Sequence, residues 1–190
     1  MSSQRLTAPA VILWGDATDG RTTYRHAMNH RAGPEAFSLL PPALLPMTKI
    51  VCEVGPLATL GAAPCGERRY VPLGGGTVQG PELNGRLVEG GVDWQLLRAD
   101  GVLEIEAHYV LRLDDGALVE VGSSGLRHGP PDVMARLARG EAVPGDAYFF
   151  RTLIRFTTGA ERWKHLNATM AIARGTREAS RVLLDVYRLT

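Results

Sequence analysis

Lysine is almost missing from these 190 residues: Lys49 and Lys164 stand alone, and the other basic side chains are all Arg. No charge of one sign dominates. The 21 Lys and Arg against 20 Asp and Glu leave a formal net of +1, which removes the basic footprint of a nucleic-acid binder. Long apolar runs are lacking as well. The first ten residues are polar, and the run that follows, Ala10 to Trp14, is too short for a signal-peptide core or a membrane span. The expectation is a cytoplasmic chain with no membrane or nucleic-acid partner. Cysteine is scarce: Cys52 and Cys65, with no Cys or His pair beside them, fit reduced thiols better than a disulfide frame or a zinc site. No nucleophile elbow, dinucleotide fingerprint, EF-hand or metalloprotease spacing occurs, so no metal and no cofactor is expected.

What is present suits a folded chain, with 45% hydrophobic and 22% charged residues. Its text changes near residue 47. Residues 1–46 hold scattered Gly, Pro, Thr and Arg without a sustained period, and end in Leu39-Leu40-Pro41-Pro42-Ala43-Leu44-Leu45-Pro46. Those prolines oppose a regular helix or a central strand. Residues 1–46 are therefore expected to be an irregular extension, with Met47 as an alternative natural start. A docking role for Trp14, Phe37 and the Leu-Pro run is a further reading.

Residues 47–190 read as strands. Thr48 to Val54, Arg69 to Leu73, Gly85 to Val88, Val92 to Arg98, Leu103 to Leu113, Ala117 to Val121, Ala147 to Thr157, Asn167 to Arg174 and Arg181 to Leu189 are short β segments. Gly-rich turns separate them, among them Glu89-Gly90-Gly91 and Asp114-Asp115-Gly116. Seven to nine strands at this spacing predict an all-β antiparallel sandwich or barrel. One helix interrupts the series: Pro130-Pro131 opens it, Asp132 suits its first turn and Gly140 closes it. Beside a barrel, such a helix plugs one end or covers a sheet edge. The glycines of Gly74 to Gly80 lack the flanking elements of a phosphate loop and suit a β-corner or bulge.

Six separated motifs then carry a resemblance. They are Val71-Pro72-Leu73-Gly74-Gly75-Gly76-Thr77-Val78-Gln79-Gly80-Pro81, Gly90-Gly91-Val92-Asp93-Trp94-Gln95, Gly125-Leu126-Arg127-His128-Gly129-Pro130-Pro131, Tyr148-Phe149-Phe150-Arg151, Leu166-Asn167 and Leu184-Asp185-Val186-Tyr187. Together, over about residues 50–189, they resemble the domain-of-unknown-function 3237 family, also called uncharacterised protein family 0311. The resemblance implies a single antiparallel β-barrel, similar in shape to allene-oxide-cyclase-like and lipocalin-like barrels. It implies no agreed activity.

Candidate site residues follow from chemistry. Along Leu103 to Leu113 one parity is apolar (Leu103, Ile105, Ala107, Tyr109, Leu111, Leu113), while the other holds Glu104, Glu106, His108, Val110 and Arg112. That second face is either solvated or turned into a ligand cavity. In the cavity case Glu106 and His108 are the catalytic acid/base pair, since a carboxylate raises and positions an imidazole. Asp93 beside Trp94 fits core packing or a buried acid with a raised pKa. Arg127, read as part of a loop at the barrel mouth, fits either an anion anchor or a surface charge pair. Arg151 must face water or find a carboxylate. Tyr109, Tyr148 and Asn167 complete the ligand-binding candidates. The function these residues suggest is binding of a small, partly apolar oxygenated metabolite in the lumen, with or without cofactor-free isomerase, cyclase or lyase chemistry. A non-catalytic carrier or sensor, and a structural or subunit-contact module, are the alternatives; an uncovered barrel edge would favour a homodimer.

Overall fold

Period-two alternation is carried furthest in β5 (Leu103–Leu113), where Leu103, Ile105, Ala107, Tyr109, Leu111 and Leu113 are buried. Every second side chain therefore leaves water, and each fully buried Leu contributes about 1.5–3 kcal/mol. The computed structural model describes residues 40–190, and β5 lies in the middle of their sheet. The other strands are β1 (Leu44–Val54), β2 (Ala58–Ala63), β3 (Gly66–Gln79), β4 (Gly85–Leu97), β6 (Leu118–His128), β7 (Phe149–Thr157), β8 (Met170–Arg177) and β9 (Arg181–Leu189). All pairings are antiparallel, in the order β1-β9-β8-β7-β6-β5-β4-β3-β2, and β1 also pairs with β3. That last pairing closes an eight-stranded barrel and leaves β2 as an added strand on the first half of β3. The expected all-β barrel is what the chain forms.

Several local expectations are corrected. Glu89-Gly90-Gly91 is not a turn, because β4 runs through it with a register shift between Val88 and Val92. A Cβ on Gly91 would lie 2.7 Å from Tyr109 Cβ, so the missing side chain lets β4 cross close to β5. Arg127 and His128 are not in a loop; β6 carries them as its last two residues. Asn167 belongs to a 3₁₀ helix, Glu161–Ala168, rather than to the next strand. The strand β2 escaped the sequence reading because its Ala, Gly and Thr lack an apolar period. The first strand starts at Leu44 rather than near Thr48, and Pro46 is accommodated at a register shift between Pro46 and Thr48. Of the expected N-terminal extension, residues 1–39 lie outside the described residues, as do Trp14 and Phe37.

The barrel's two ends differ. At one, Leu83 from the β3–β4 connection and Leu166 from the 3₁₀ helix are fully buried in the apolar core with Met47, Val78, Leu111 and Val119. Trp163 Nε1 donates to Asp115 Oδ2 at 2.8 Å, pinning this helix to the β5–β6 turn. At the other end, α1 (Pro131–Ala138) buries Leu137 and leads to Val143 and Tyr148. The Arg177 backbone N–H donates to the Tyr148 hydroxyl at 2.8 Å, fastening that cover to β8. Among the described residues no helix is long and apolar enough to cross a membrane.

Candidate functional site

The polar residues that matter fall on the inner parity of strands whose remaining inner positions are apolar. Asp93 and Gln95 alternate inward on β4 beyond its bulge, and pair in register with Ala107 and Ile105 of β5. Those pair in turn with Ser123 and Gly125 of β6, then Ile154 and Thr152 of β7. Arg127 continues the inner parity of Val119, Val121 and Ser123. Arg177 ends β8 in the parity of Ala171 and Ala173, and Arg69 and Cys52 join from β3 and β1. Ala107, Gly125, Ala173 and Ser123 are small, and the rings of Tyr109, Tyr148 and Phe150 share the core with them, the Phe150 ring lying against Gly175. The α1 end therefore carries an inward-facing layer of charged, small and aromatic residues, the charged chamber of the barrel.

A relay runs along one wall. Arg69 Nε donates to Gln95 Oε1 at 3.2 Å, and Gln95 Nε2 donates to Asp93 Oδ2 at 2.6 Å. The remaining polar atoms do not find partners within the protein: Asp93 Oδ1, Tyr109 OH, Arg127 Nε and Thr152 Oγ1 are sealed from solvent without a hydrogen bond. Leaving such a group unpaired costs about 1–3 kcal/mol, so four in one chamber mark a place built for something other than packing. Arg127 sits with its guanidinium carbon 5.7 Å from the Phe150 ring centre, which orients it along the wall.

Electrostatics follow from burial. Asp93 is pushed above the usual carboxylate range by desolvation, against the pull of the Gln95 hydrogen bond and the charges of Arg127, Arg177 and Arg69. Arg127 is lowered to about 10 by burial first and by Arg177 second. Burial also lowers Arg69 and Arg177. Cys52 is pushed up to about 12 by burial and by Asp93 and Glu53, so it is a neutral thiol and no nucleophile. Tyr109 is raised further by burial, with Cys52 and Asp93 adding, and stays a neutral hydroxyl. The chamber thus offers one carboxyl poised for a proton, the neutral Tyr109 phenol and three guanidinium groups. Among the described residues no group of three His, Cys, Asp or Glu is placed to hold a metal ion.

Four of the residues proposed from sequence meet here: Asp93, Tyr109, Arg127 and Tyr148. The others do not. Glu106 and His108 do form a pair, His108 Nε2 lying 3.7 Å from Glu106 Oε1, but both side chains are more than half exposed on the outer face. The cavity reading is overturned by parity: β5 turns its apolar row inward and its charged row to water. His108 lines a shallow outer groove of about 390 Å³ with Gly90, Gly91, Tyr109 and Glu120, on the opposite face of the sheet from the Asp93 side chain. Replacing both, Glu106→Gln with His108→Asn, is expected to leave binding by the chamber within twofold, checked by titration of any chamber ligand. Trp94 also points outward, its ring 5.3 Å from that of Tyr70 and 5.6 Å from the Arg68 guanidinium. Arg151 faces out beside Phe149, 5.3 Å away, and donates from Nη1 to the Phe150 carbonyl at 2.9 Å.

Asn167 has a structural task. Its Oδ1 accepts from the Thr158 N–H at 2.8 Å and its Nδ2 donates to the Thr158 carbonyl at 2.9 Å. It holds the 3₁₀ helix at the opposite end of the barrel. The Asn167→Ala variant is expected to lose about 1–3 kcal/mol in urea unfolding, because both Thr158 backbone groups lose their partner.

Arg69, Gln95, Ser123, Thr152 and Arg177 were missed. The signal that could have found them is a polar side chain on the apolar parity of a strand; it was open for Arg69, Gln95 and Thr152 in the segments already read, while Ser123 and Arg177 needed the full lengths of β6 and β8.

Comparison with known proteins bears on this chamber through the fold. A family model described as protein of unknown function (DUF3237) matches residues 42–189. The chain is 35% identical over 140 residues to a UPF0311 protein of Rhodopseudomonas palustris, covering 74% of this chain and 92% of that one. Its likeness to a UPF0311 protein of Clostridium acetobutylicum is 34% over 125 residues, 66% of this chain and 79% of that one. Among solved structures, a Rhodopseudomonas palustris protein of unknown function superposes with a TM-score of 0.75 at 32% identity, over 80% of this chain and 99% of that one. A β-barrel-like protein of Acinetobacter baumannii gives 0.70 at 33%, over 82% and 100%. A protein described as an enzyme from Penicillium herquei gives 0.62 at 21%, over 82% and 99%, a likeness of fold alone.

Proposed function

The chain belongs to the DUF3237 family of proteins of unknown function, and from that premise we propose that the charged end of its barrel binds a small, partly apolar oxygenated molecule and moves a proton on it without a cofactor. The observation that carries this reading is the set of four sealed, unpartnered polar atoms from four different strands. Donors and acceptors that no protein group satisfies, on a wall that also carries Phe150 and Ile105, are complementary to a ligand with oxygens at one end and carbon at the other. The proton-transfer group in this reading is Asp93. Its raised pKa keeps its proton exchangeable nearer neutrality, and Gln95 fixes one oxygen so that Oδ1 points to the reacting atom. Arg127, Tyr109 and Thr152 hold the oxygens, and a neutral phenol on the strand next to the carboxyl's own allows isomerisation, cyclisation or elimination by paired proton transfers. A barrel of the same fold in Penicillium herquei is described as an enzyme, so the scaffold is compatible with catalysis.

The test is native mass spectrometry of the purified full chain, followed by incubation of the recovered molecule with fresh protein across pH. The expected result is a bound molecule of one mass that is converted, with a rate that titrates with one carboxyl. A molecule returned unchanged at every pH means a carrier. A molecule retained equally by an Arg127→Met, Thr152→Val double variant means that the chamber is not its site.

A further inference from the structure

We infer that the molecule bound in the chamber is a monoanion with its charge on oxygen, a carboxylate or an enolate; this rests on the binding reading above and adds the charge of the occupant. The reasoning is a count of charges that face one another. Arg69 stands at the rim of the chamber, where Glu67 of its own strand and Asp93 both act on it and Gln95 accepts its Nε–H. Deeper in, Arg127 and Arg177 stand on the inner parity of β6 and β8, the charges of Arg177 and Arg69 both act on Arg127, and Asp93 is the one carboxylate that acts on both Arg127 and Arg177. Cys52, which also acts on Arg177, is a thiol held neutral by burial. Three guanidinium charges, Arg69, Arg127 and Arg177, therefore face two carboxylates, Glu67 at the rim and Asp93, and a single positive charge is left over.

No other protein group compensates it. Among the described residues the ion pairs within 4.0 Å involve Lys49, Arg98, Arg136, Arg139, Arg162, Lys164, Arg181, Arg188 and the His108 pair, and none involves Arg69, Arg127 or Arg177. Arg177 Nη1 has only the Arg181 carbonyl, at 3.3 Å, and Arg127 Nε has nothing. An excess guanidinium held away from water is costly unless an acceptor of opposite charge reaches it. A planar two-oxygen anion suits the guanidinium fork, and it accepts at the same time from Tyr109 OH and Thr152 Oγ1, the two neutral donors left without partners. A neutral ligand would leave the extra charge where it is. A dianion would overfill it unless Asp93 were protonated.

The experiment uses the full chain and three matched pairs of probes at constant ionic strength: acetate and acetamide, benzoate and benzamide, 2-naphthoate and 2-naphthamide. The readout is the ¹⁵N–¹H signal of the Arg127 Nε–H, assigned by its loss in Arg127→Met. At least one carboxylate is expected to shift that signal and to bind about ten- to a hundredfold more tightly than its amide, the range of one charge-assisted hydrogen bond. Arg127→Met should remove the preference, so that acid and amide bind with affinities within a few fold of each other. If that variant fails to fold, Arg177→Gln, at a partly exposed position, should lower it in the same direction. Equal affinity for acid and amide overturns the anion inference and leaves the binding site standing. Shifts confined to outer arginines such as Arg151 and Arg174, or no chamber shift with any probe, overturn it as well; the molecule recovered by mass spectrometry then decides the binding reading separately.

Discussion

An Asp93→Asn variant is expected to keep the chamber's ligand and lose its conversion, with turnover falling by about 10²–10⁴, the range supplied by a positioned general acid or base. The amide keeps the shape and can still pair with Gln95, so binding should change little compared with the rate. Stability moves the other way. The folded chain holds the Asp93 proton to a higher pH than the unfolded chain, whose carboxyl titrates near 3.9. Between those two pKa values the native state binds more protons, so wild-type stability falls as pH rises through the window. The contribution is complete below the unfolded value and gone above the folded one. The amide variant does not titrate there, and its thermal midpoint should gain on wild type as pH rises from 4 to 8. A wild type that instead gains on the variant over that range would show that the Asp93 charge stabilises the fold. That result would leave the carboxylate without its proposed acid/base poise.

The second large effect is expected at Gly76, where a single methyl should cost about 3–5 kcal/mol. Gly76 pairs with Cys52 across the β1–β3 seam that closes the barrel, and its φ is +155°. A Cβ there would sit 1.9 Å from the Val51 carbonyl oxygen and 2.9 Å from its carbon. The atoms in the way are backbone, so no rotamer change relieves the clash; either the seam shifts or the residue leaves its conformation. Backbone strain and overpacking each cost about 1–3 kcal/mol, and a domain of ordinary stability has only about 5–15 to lose. Gly159→Ala, where nothing lies within 4 Å, is the control and should be nearly neutral. Urea midpoints of the two variants within 1 kcal/mol of each other would mean that the seam is not tight.

Much of the architecture was open to reading in the residues because strands announce themselves by period. The alternation in Leu103–Leu113 alone identified which side chains pack, and the Pro130-Pro131 and Gly140 signals bracketed the helix. The glycines at 74–76 pointed to a bulge, and β3 does shift register between Leu73 and Gly76. The site was harder. Glu106 and His108 drew attention as chemically apt neighbours, yet two polar residues on the polar parity of a strand are, by that fact, outside. The informative residues were those that break the apolar parity: Asp93, Arg127 and Arg177 stand among Val, Ala and Ser on inner faces. Arg127 was singled out for its chemistry, while the extent of β6 that places it inside was not apparent.

Taken by itself, the amino-acid order determined a strand-built chain, its apolar faces, the family to which it belongs and the near-absence of excess charge. These are local or compositional properties, carried by neighbours a few positions apart. The tertiary structure decided the closure of the β1–β3 seam and the inward turn of Arg69, Asp93, Arg127 and Arg177 at one end. It also decided the two covers that make one end apolar and the other charged. Each of these depends on register between strands far apart in sequence, where a shift of one residue reverses every side chain, and no local pattern encodes that sum.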